Sequence, residues 1–264
     1  MYRSFSHPTR RGANVKFTDR VVLVTGSSSG IGRAVAVAFA AQGAAVVVNY
    51  PSEREADAAH SVVNRIVAEG GNAAAICADV SSEVDVAALI AEAHRRFGRI
   101  DVLVNNAGIA AAGAVHEMPV SLWDRVIAVH LRGTFLMTRA VLPEMYARNS
   151  GRIINTASQL AYKGAPGFAA YTAAKGAMLS FTRSTALEIG PRNITINCVA
   201  PGATHTPILD DVPAAVLEDI RRAIPVGRIA DVDDIVPTYL FLAADEARHY
   251  QGQCLSPNGG DVFL

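Results

Sequence analysis

The chain is poor in the residues that would mark several functional classes. It has three lysines, three cysteines and one tryptophan in 264 residues, and its 24 basic and 24 acidic side chains cancel. Balanced charge removes the field that gathers nucleic acid or an anionic membrane, so a small, nearly neutral partner is expected. Cys77, Cys198 and Cys254 are odd in number, widely separated and without a C-x-x-C pair, which speaks against a disulfide framework and against a metal site. They read as reduced core residues. No Gly-Lys-[Ser/Thr] run exists, so the chain carries no P-loop. The most apolar segment, residues 34–48, is broken by Gln42-Gly43 and suits a helix, a turn and a strand better than a membrane span. The first 18 residues hold Arg3, Arg10, Arg11 and Lys16 and no acid, but lack the apolar stretch of a secretory signal. A short disordered arm over 1–18 is expected, with a transit peptide as the alternative, and the location is expected to be cytoplasmic.

What is abundant is apolar. Half of the residues are hydrophobic, enough at this length for a large core without any staple. Short Val- and Ile-rich runs at 21–24, 45–48, 74–77, 100–104, 152–155, 194–199 and 253–256 alternate with longer Ala- and Leu-rich segments. Continuous apolar strands need cover on both faces, and the intervening lengths suit crossover helices. The expectation is an α/β fold of Rossmann type: a doubly wound sheet of seven mostly parallel strands, helices on both faces, one domain over 19–264.

Punctuation supports that division. Ser52-x-x-Glu55, Ser82-x-x-Asp85 and Ser121-x-x-Asp124 predict helix starts, each an acceptor followed by an acid three residues on. Gly43, Gly70, Gly98 and Gly190-Pro191 predict helix ends, and Pro143 and Pro237 predict kinks or breaks.

Two clusters suggest chemistry. The first strand runs into Thr25-Gly26-Ser27-Ser28-Ser29-Gly30-Ile31-Gly32, where backbone N–H groups and a helix N-terminus would face an anion. By itself this glycine pattern is weak, since a purely structural turn reads the same way. The second cluster is Tyr171-x-x-x-Lys175, downstream of Ser158. A spacing of four puts phenol and ammonium on one helix face, where the cation favours phenolate. Tyrosine titrates near pH 10, so proton exchange near neutrality needs about 4 kcal/mol of differential stabilisation. With seven Tyr and three Lys, chance supplies 7 × 3/264, or about 0.08 such pairs, so the pairing carries information.

Asn105-Asn106-Ala107-Gly108 closes the fourth strand, at the edge where open α/β sheets bind ligands. Taken in order, the Thr-Gly-x-x-x-Gly-x-Gly turn, Asn-Asn-Ala-Gly, Ser158, Tyr171-x-x-x-Lys175 and Pro201-Gly202 resemble the short-chain dehydrogenase/reductase family over about residues 19–260. The resemblance implies hydride transfer between a nicotinamide cofactor and a ketone or secondary alcohol. It implies Tyr171 as general acid and base, Ser158 as the partner polarising the carbonyl, and Lys175 lowering the phenol pKa while binding the nicotinamide ribose.

The resemblance also implies cofactor contacts. Gly26, Ser28, Ser29, Gly30 and Ile31 would hold the pyrophosphate side, Asp79 and Val80 the adenine, with Asn106, Ala107 and Gly108 opposite. Pro201, Gly202, Thr204 and Thr206 would cover the nicotinamide. Asp79 as a helix cap and Pro201-Gly202 as a plain turn remain the alternatives. At the end of the second strand stand Asn49, Ser52 and Arg54, with no carboxylate at Asn49 to repel a 2′-phosphate. NADP(H) is therefore expected, NAD(H) being the alternative because Glu53 and Glu55 are close and Ser29 stands where the family's NADP enzymes often carry Arg. His130 departs from the family pattern, which has Asn there in a proton relay; it reads either as a relay imidazole or as a core histidine.

Gln159-Leu160, residues 165–168 and 205–228 should form the substrate side, with Ile208, Leu209, Val212, Val216 and Leu217 as an apolar lid or as ordinary core. A 3-oxoacyl thioester reductase is preferred to a sugar or polyol dehydrogenase, and a cofactor-reading sensor without turnover is the rival class. The closing Ser256-Pro257-Asn258-Gly259-Gly260 resembles the family's final strand and turn, which implies a homotetramer.

Overall fold

The computed structural model describes residues 16–210 and 212–263. Seven strands form one sheet in the order β3-β2-β1-β4-β5-β6-β7: β1 (Val21–Val24), β2 (Ala45–Tyr50), β3 (Asn72–Cys77), β4 (Val102–Asn105), β5 (Gly151–Thr156), β6 (Ile194–Val199) and β7 (Cys254–Leu255). All six pairings are parallel, so every strand presents its carboxyl end to the same edge. The helices are α1 (Gly30–Ala41), α2 (Ala56–Ala68), α3 (Glu83–Phe97), α4 (Val120–Ile127), α5 (Gly133–Arg148), α6 (Leu160–Lys163), α7 (Ala169–Ile189), α8 (Ala214–Ala223) and α9 (Val232–Ala243).

The alternating faces of the buried strands separate two apolar layers. Val22, Val24, Val46 and Val48 pack with Phe39 of α1 and Tyr239 of α9. Leu23, Val47, Leu103 and Ile153 pack with Leu89 of α3 and Met137 of α5. Helices therefore cover both faces, as continuous hydrophobic strands require. Chain order reverses between β1 and β4, and the crevice above their carboxyl ends is where such sheets take ligands.

Several boundaries differ from expectation. Phe17 is buried, its N–H donates to Gln42 O at 3.0 Å, and its ring meets Phe39 at 5.0 Å, so residues 16–18 belong to the packed body. The rest of the expected arm, residues 1–15, lies outside the described residues. Ser82 caps α3 through Asp85 N–H, but Ser52 precedes only a short 3₁₀ turn, and Ser121 lies inside α4, which starts after Pro119. Gly43, Gly70, Gly98 and Gly190 all take positive φ where their helices end. Pro143 and Pro237 sit within α5 and α9 without ending them. The irregularity comes instead at Ala128–Arg132, a π-helical segment joining α4 to α5 and containing His130. Such segments are frequent at functional sites.

Candidate active site

The nucleotide end is braced by three side chains. Thr25 Oγ1 accepts from the N–H groups of Asn106 and Ala107, both at 3.0 Å, which ties the end of β1 to the end of β4. Asn106 Nδ2 returns the link by donating to Thr25 O and Gly26 O, both at 3.0 Å. Asn49 Oδ1 accepts from Gly26 N at 3.2 Å while its Nδ2 donates to Ala78 O at 3.0 Å. Close approach explains the glycines. A Cβ on Gly26 would lie 2.8 Å from Ala107 Cα, and one on Gly32 would collide with the Asn106 amide and Gly26 O.

At the start of α1, Ser29 is extended, its side chain makes no capping bond, and no acid occupies the first turn. Helix N-terminal N–H groups without an internal acceptor suit an anion. Gly30 faces Thr206, whose Cβ would be 3.5 Å from a Cβ placed there, so the loop leaving β6 passes over the turn. In that loop Pro201 O accepts from Gln159 N at 3.0 Å, and Thr204 Oγ1 donates to Gly202 O at 2.9 Å. The residues present therefore fit a dinucleotide: a donor-lined turn, a tight crevice and a covering loop.

The remaining expected contacts divide. Asn49 is 1 % exposed with its amide spent on the backbone, so it positions the turn instead of meeting a ribose, a correction to the expected contact. Its reach to Ala78 depends on β3, which the local pattern around residue 49 does not reveal. Ser52 is exposed beyond β2. Ser28 Oγ, buried, donates to the Glu55 carboxylate, placing an acid beside the turn. Asp79 does not cap α3; it accepts from Ser81 N at 2.9 Å and pairs with Arg125 at 3.0 Å. Val80 is buried against Gly133, while Gly108 is exposed and Ile31 and Ala107 are half-buried.

The chemical end lies over β5 and β6. Ser158 stands two residues past the end of β5, and its Oγ accepts from Leu160 N at 3.1 Å. Tyr171 and Lys175 rise from the first turns of α7. Lys175 is 3 % exposed, its Nζ donates to Thr156 O, and it lies 5.6 Å from the centre of the Tyr171 ring. Ser158, Tyr171 and Lys175 are thus brought together.

Their electrostatics differ from expectation. Burial pushes the Tyr171 phenol above its ordinary value, and a hydrogen bond with Ser158 opposes that rise. Burial also pushes Lys175 down to about 7. An ammonium already losing its proton near neutrality does little to stabilise phenolate, so the expected lowering of Tyr171 by Lys175 is not a property of the chain alone.

His130 packs edge-on to Tyr171, ring centres 5.4 Å apart, and Nε2 meets the Ile109 backbone N–H at 3.1 Å. Burial, aided by the Lys175 charge, lowers its pKa to about 3, and Nδ1 is buried without a partner. Burial that disfavours the imidazolium, with Nε2 engaged at Ile109, supports the core-histidine reading over the relay reading. A Cβ on Gly108 would lie 2.5 Å from His130 Cε1, so the ring and that glycine are fitted to each other.

Three features escape the linear motifs. Asn105 Nδ2 donates to Asn155 Oδ1 at 2.8 Å, and Asn155 Nδ2 to Thr182 Oγ1 at 2.8 Å, giving a buried polar chain beneath the site. Thr156 hydrogen-bonds Tyr239 at 2.8 Å. Asp261 accepts from Gln159 and Lys163, both at 2.6 Å, and ties the C-terminal segment to the residue beside Ser158. The polar residues at strand ends were visible, but their partners are 27 to 102 positions away. Among residues 205–228 no side chain of α8 is fully buried, and Ile208 and Val216 are exposed. Among the described residues there is no cluster able to hold a metal, and no helix long and apolar enough to cross a membrane.

Comparison with known proteins agrees with this geometry. A family model described as Enoyl-(Acyl carrier protein) reductase matches residues 26–261. The chain is 41 % identical over 242 residues to the (2S)-[(R)-hydroxy(phenyl)methyl]succinyl-CoA dehydrogenase subunit BbsD of Thauera aromatica, covering 92 % of this chain and 96 % of the relative. It is 43 % identical over 248 residues to a 3-oxoacyl-[acyl-carrier-protein] reductase of Synechocystis sp. (strain ATCC 27184 / PCC 6803 / Kazusa), covering 94 % and 98 %. A solved 7α-hydroxysteroid dehydrogenase, complexed with NADH and 7-oxo glycochenodeoxycholic acid, superposes with a TM-score of 0.88 at 32 % identity, covering 94 % of this chain and 96 % of that one.

Proposed function

The chain belongs to the short-chain dehydrogenase/reductase family of NAD(P)-dependent oxidoreductases, and from that premise we propose that it reduces the 3-oxo group of an acyl thioester with NADP(H). One observation carries the reading: Ser158, Tyr171 and Lys175 converge over β5 on the same sheet edge as the glycine turn after β1. The bound nicotinamide supplies the hydride. The chain's own residues manage the oxygen.

Ser158 lies near enough to Tyr171 to oppose the rise in its pKa, and both hydroxyls would donate to the carbonyl oxygen of a bound substrate. The phenol's raised pKa keeps its proton in place until negative charge develops on that oxygen, and it then serves as general acid. In oxidation the same group returns as base. The charge of the tyrosinate left behind favours the protonated form of Lys175, held by Thr156 O, which then stabilises it, and a proton taken up there restores the phenol. Gly26, Ser28, Ser29, Gly30 and Ile31 would hold the pyrophosphate, Asp79, Val80 and residues 106–108 the adenosine, and Pro201, Gly202, Thr204 and Thr206 the nicotinamide.

Two relatives' names favour a thioester: one specifies a coenzyme A ester, the other an acyl carrier protein ester. NADP(H) is favoured because no carboxylate stands at Asn49 and Arg54 is exposed nearby; Glu55 beside Ser28 favours NAD(H) as the alternative. A homotetramer is the assembly we expect, with Phe241 and Tyr250, exposed and packed edge-to-face at 5.0 Å beside the short edge strand β7, as covered surface. Reduced-nicotinamide absorbance, followed with 3-oxoacyl thioesters, sugars and plain ketones and with both cofactors, tests the reading. Faster NADPH consumption with thioesters supports it; a large kcat/KM preference for NADH removes the cofactor assignment, and cofactor binding without turnover on any substrate removes the enzyme reading.

A further inference from the structure

Two of the three cysteines occupy neighbouring positions that the proposed reaction does not use. Cys198 in β6 and Cys254 in β7 are register partners across a parallel pairing. Registered residues on adjacent strands project to the same face, about 4.8 Å apart at Cα. A disulfide accepts Cα separations of about 4.4–6.8 Å. Both side chains enter one small cluster walled by Ala157, Leu179, Ala200 and Ala161. Cys198 is buried, with Thr182 Oγ1 at 3.1 Å from its sulfur, whereas Cys254 is partly exposed. Cys77 ends β3, at the far edge of the sheet.

We propose that Cys198 and Cys254 form a peroxide-responsive dithiol that closes a reversible disulfide between β6 and β7. The Cys254 thiolate attacks one oxygen of hydrogen peroxide and the O–O bond breaks. Cys254 becomes a sulfenic acid, and the departing hydroxide takes a proton to leave as water. The Cys198 sulfur then attacks the sulfenic sulfur; the S–S bond forms, the S–O bond breaks, and the Cys198 proton leaves with that oxygen as a second water. Two thiols have lost two electrons and one peroxide has gained them.

The surroundings divide the labour. Hydrogen bonds from Cys198 and from the Tyr162 hydroxyl, with the Arg183 cation nearby, hold the Cys254 thiol below its ordinary value. The same pairing and burial push Cys198 up. A more acidic, more accessible thiol beside a buried resolving thiol is the arrangement found in redox-responsive pairs. A Cα spacing near 4.8 Å is within the disulfide range but below its usual value of about 5.5–6 Å, so the bond closes under strain and leaves a readily reduced cystine. The cluster adjoins the site loops, since Ala157 precedes Ser158 and Ala200 precedes Pro201.

The folded protein, treated with hydrogen peroxide, quenched with catalase and then denatured, is expected to fall from three titratable thiols to one and to regain all three with dithiothreitol. Peptide mapping of the oxidised wild-type chain is expected to show Cys198 joined to Cys254 and Cys77 free. Cys77→Ser is expected to lose both of its remaining thiols in the same treatment. Retention of all three thiols, disulfides between chains through Cys77, or overoxidised Cys254 beside an unreacted Cys198 would each overturn the proposal. The wild-type mapping decides the matter even if a Cys198 variant does not fold.

Discussion

The two ends of the crevice are built on opposite terms. At the nucleotide end Thr25, Asn49 and Asn106 satisfy one another's backbone across β1, β2, β3 and β4. At the chemical end the polar groups are held against their preferences: Tyr171 is raised, Lys175 is lowered to about 7, and His130 Nδ1 and Gln159 Oε1 are buried without partners. Satisfied networks rigidify a framework, whereas desolvated, incompletely paired groups respond strongly to a charge brought among them. The first region holds a shape, and the second is poised to exchange a proton.

Mutations should separate the two. Tyr171→Phe is expected to lower kcat by about 10³-fold while cofactor affinity, read by nucleotide fluorescence, changes less than about twofold. Loss of both together would mean the ends are not separable. Gly32→Ala should do the reverse, because its methyl group meets backbone at Gly26 as well as the Asn106 amide. Cofactor affinity is expected to drop about 100-fold, close to 3 kcal/mol, with kcat at saturating cofactor largely kept.

Glu55→Gln removes the carboxylate beside Ser28 and sharpens the nucleotide end. The ratio of NADP to NAD affinity should rise about tenfold, or about 1.4 kcal/mol, and an unchanged ratio would place Glu55 away from the ribose. The smallest effect near neutrality belongs to His130→Asn, whose pH-rate profile between pH 6 and 9 should match the wild type. In acid the variant should gain. With a folded pKa of about 3 against an ordinary 6.5, the unfolded chain binds the extra proton first, so wild-type stability falls as pH drops from 6.5 towards 3. That loss approaches about 5 kcal/mol and should be missing from the variant's urea midpoints across the same range.

Much of this was legible in the chain because it is local. Seven apolar runs became seven strands, and Gly43, Gly70, Gly98 and Gly190 ended helices because left-handed backbone suits glycine. Ser158, Tyr171 and Lys175 were readable from spacing and order. What stayed hidden depends on distant partners or on burial. Asn49 looked like a ribose contact because its bond to Ala78 crosses from β2 to the end of β3. His130 was visible as an oddity, but its neutrality follows from packing beneath Ile109 and Gly108. Pro143 and Pro237 predicted breaks that tertiary packing absorbs, while the π segment at Ala128–Arg132 carried no Pro or Gly to announce it.

The matching family model is described by an enoyl reduction, whereas the phenol and hydroxyl proposed to act together, Tyr171 and Ser158, suit a carbonyl oxygen. The decisive experiment supplies NADPH deuterated at the transferable position, together with a 3-oxoacyl thioester or the corresponding 2-enoyl thioester. We predict deuterium at the new carbinol carbon of the 3-oxo substrate, no consumption of the enoyl substrate, and neither reaction with Tyr171→Phe. Deuterium delivered across the carbon–carbon double bond, or full carbinol labelling by the Tyr171→Phe protein, would contradict the account.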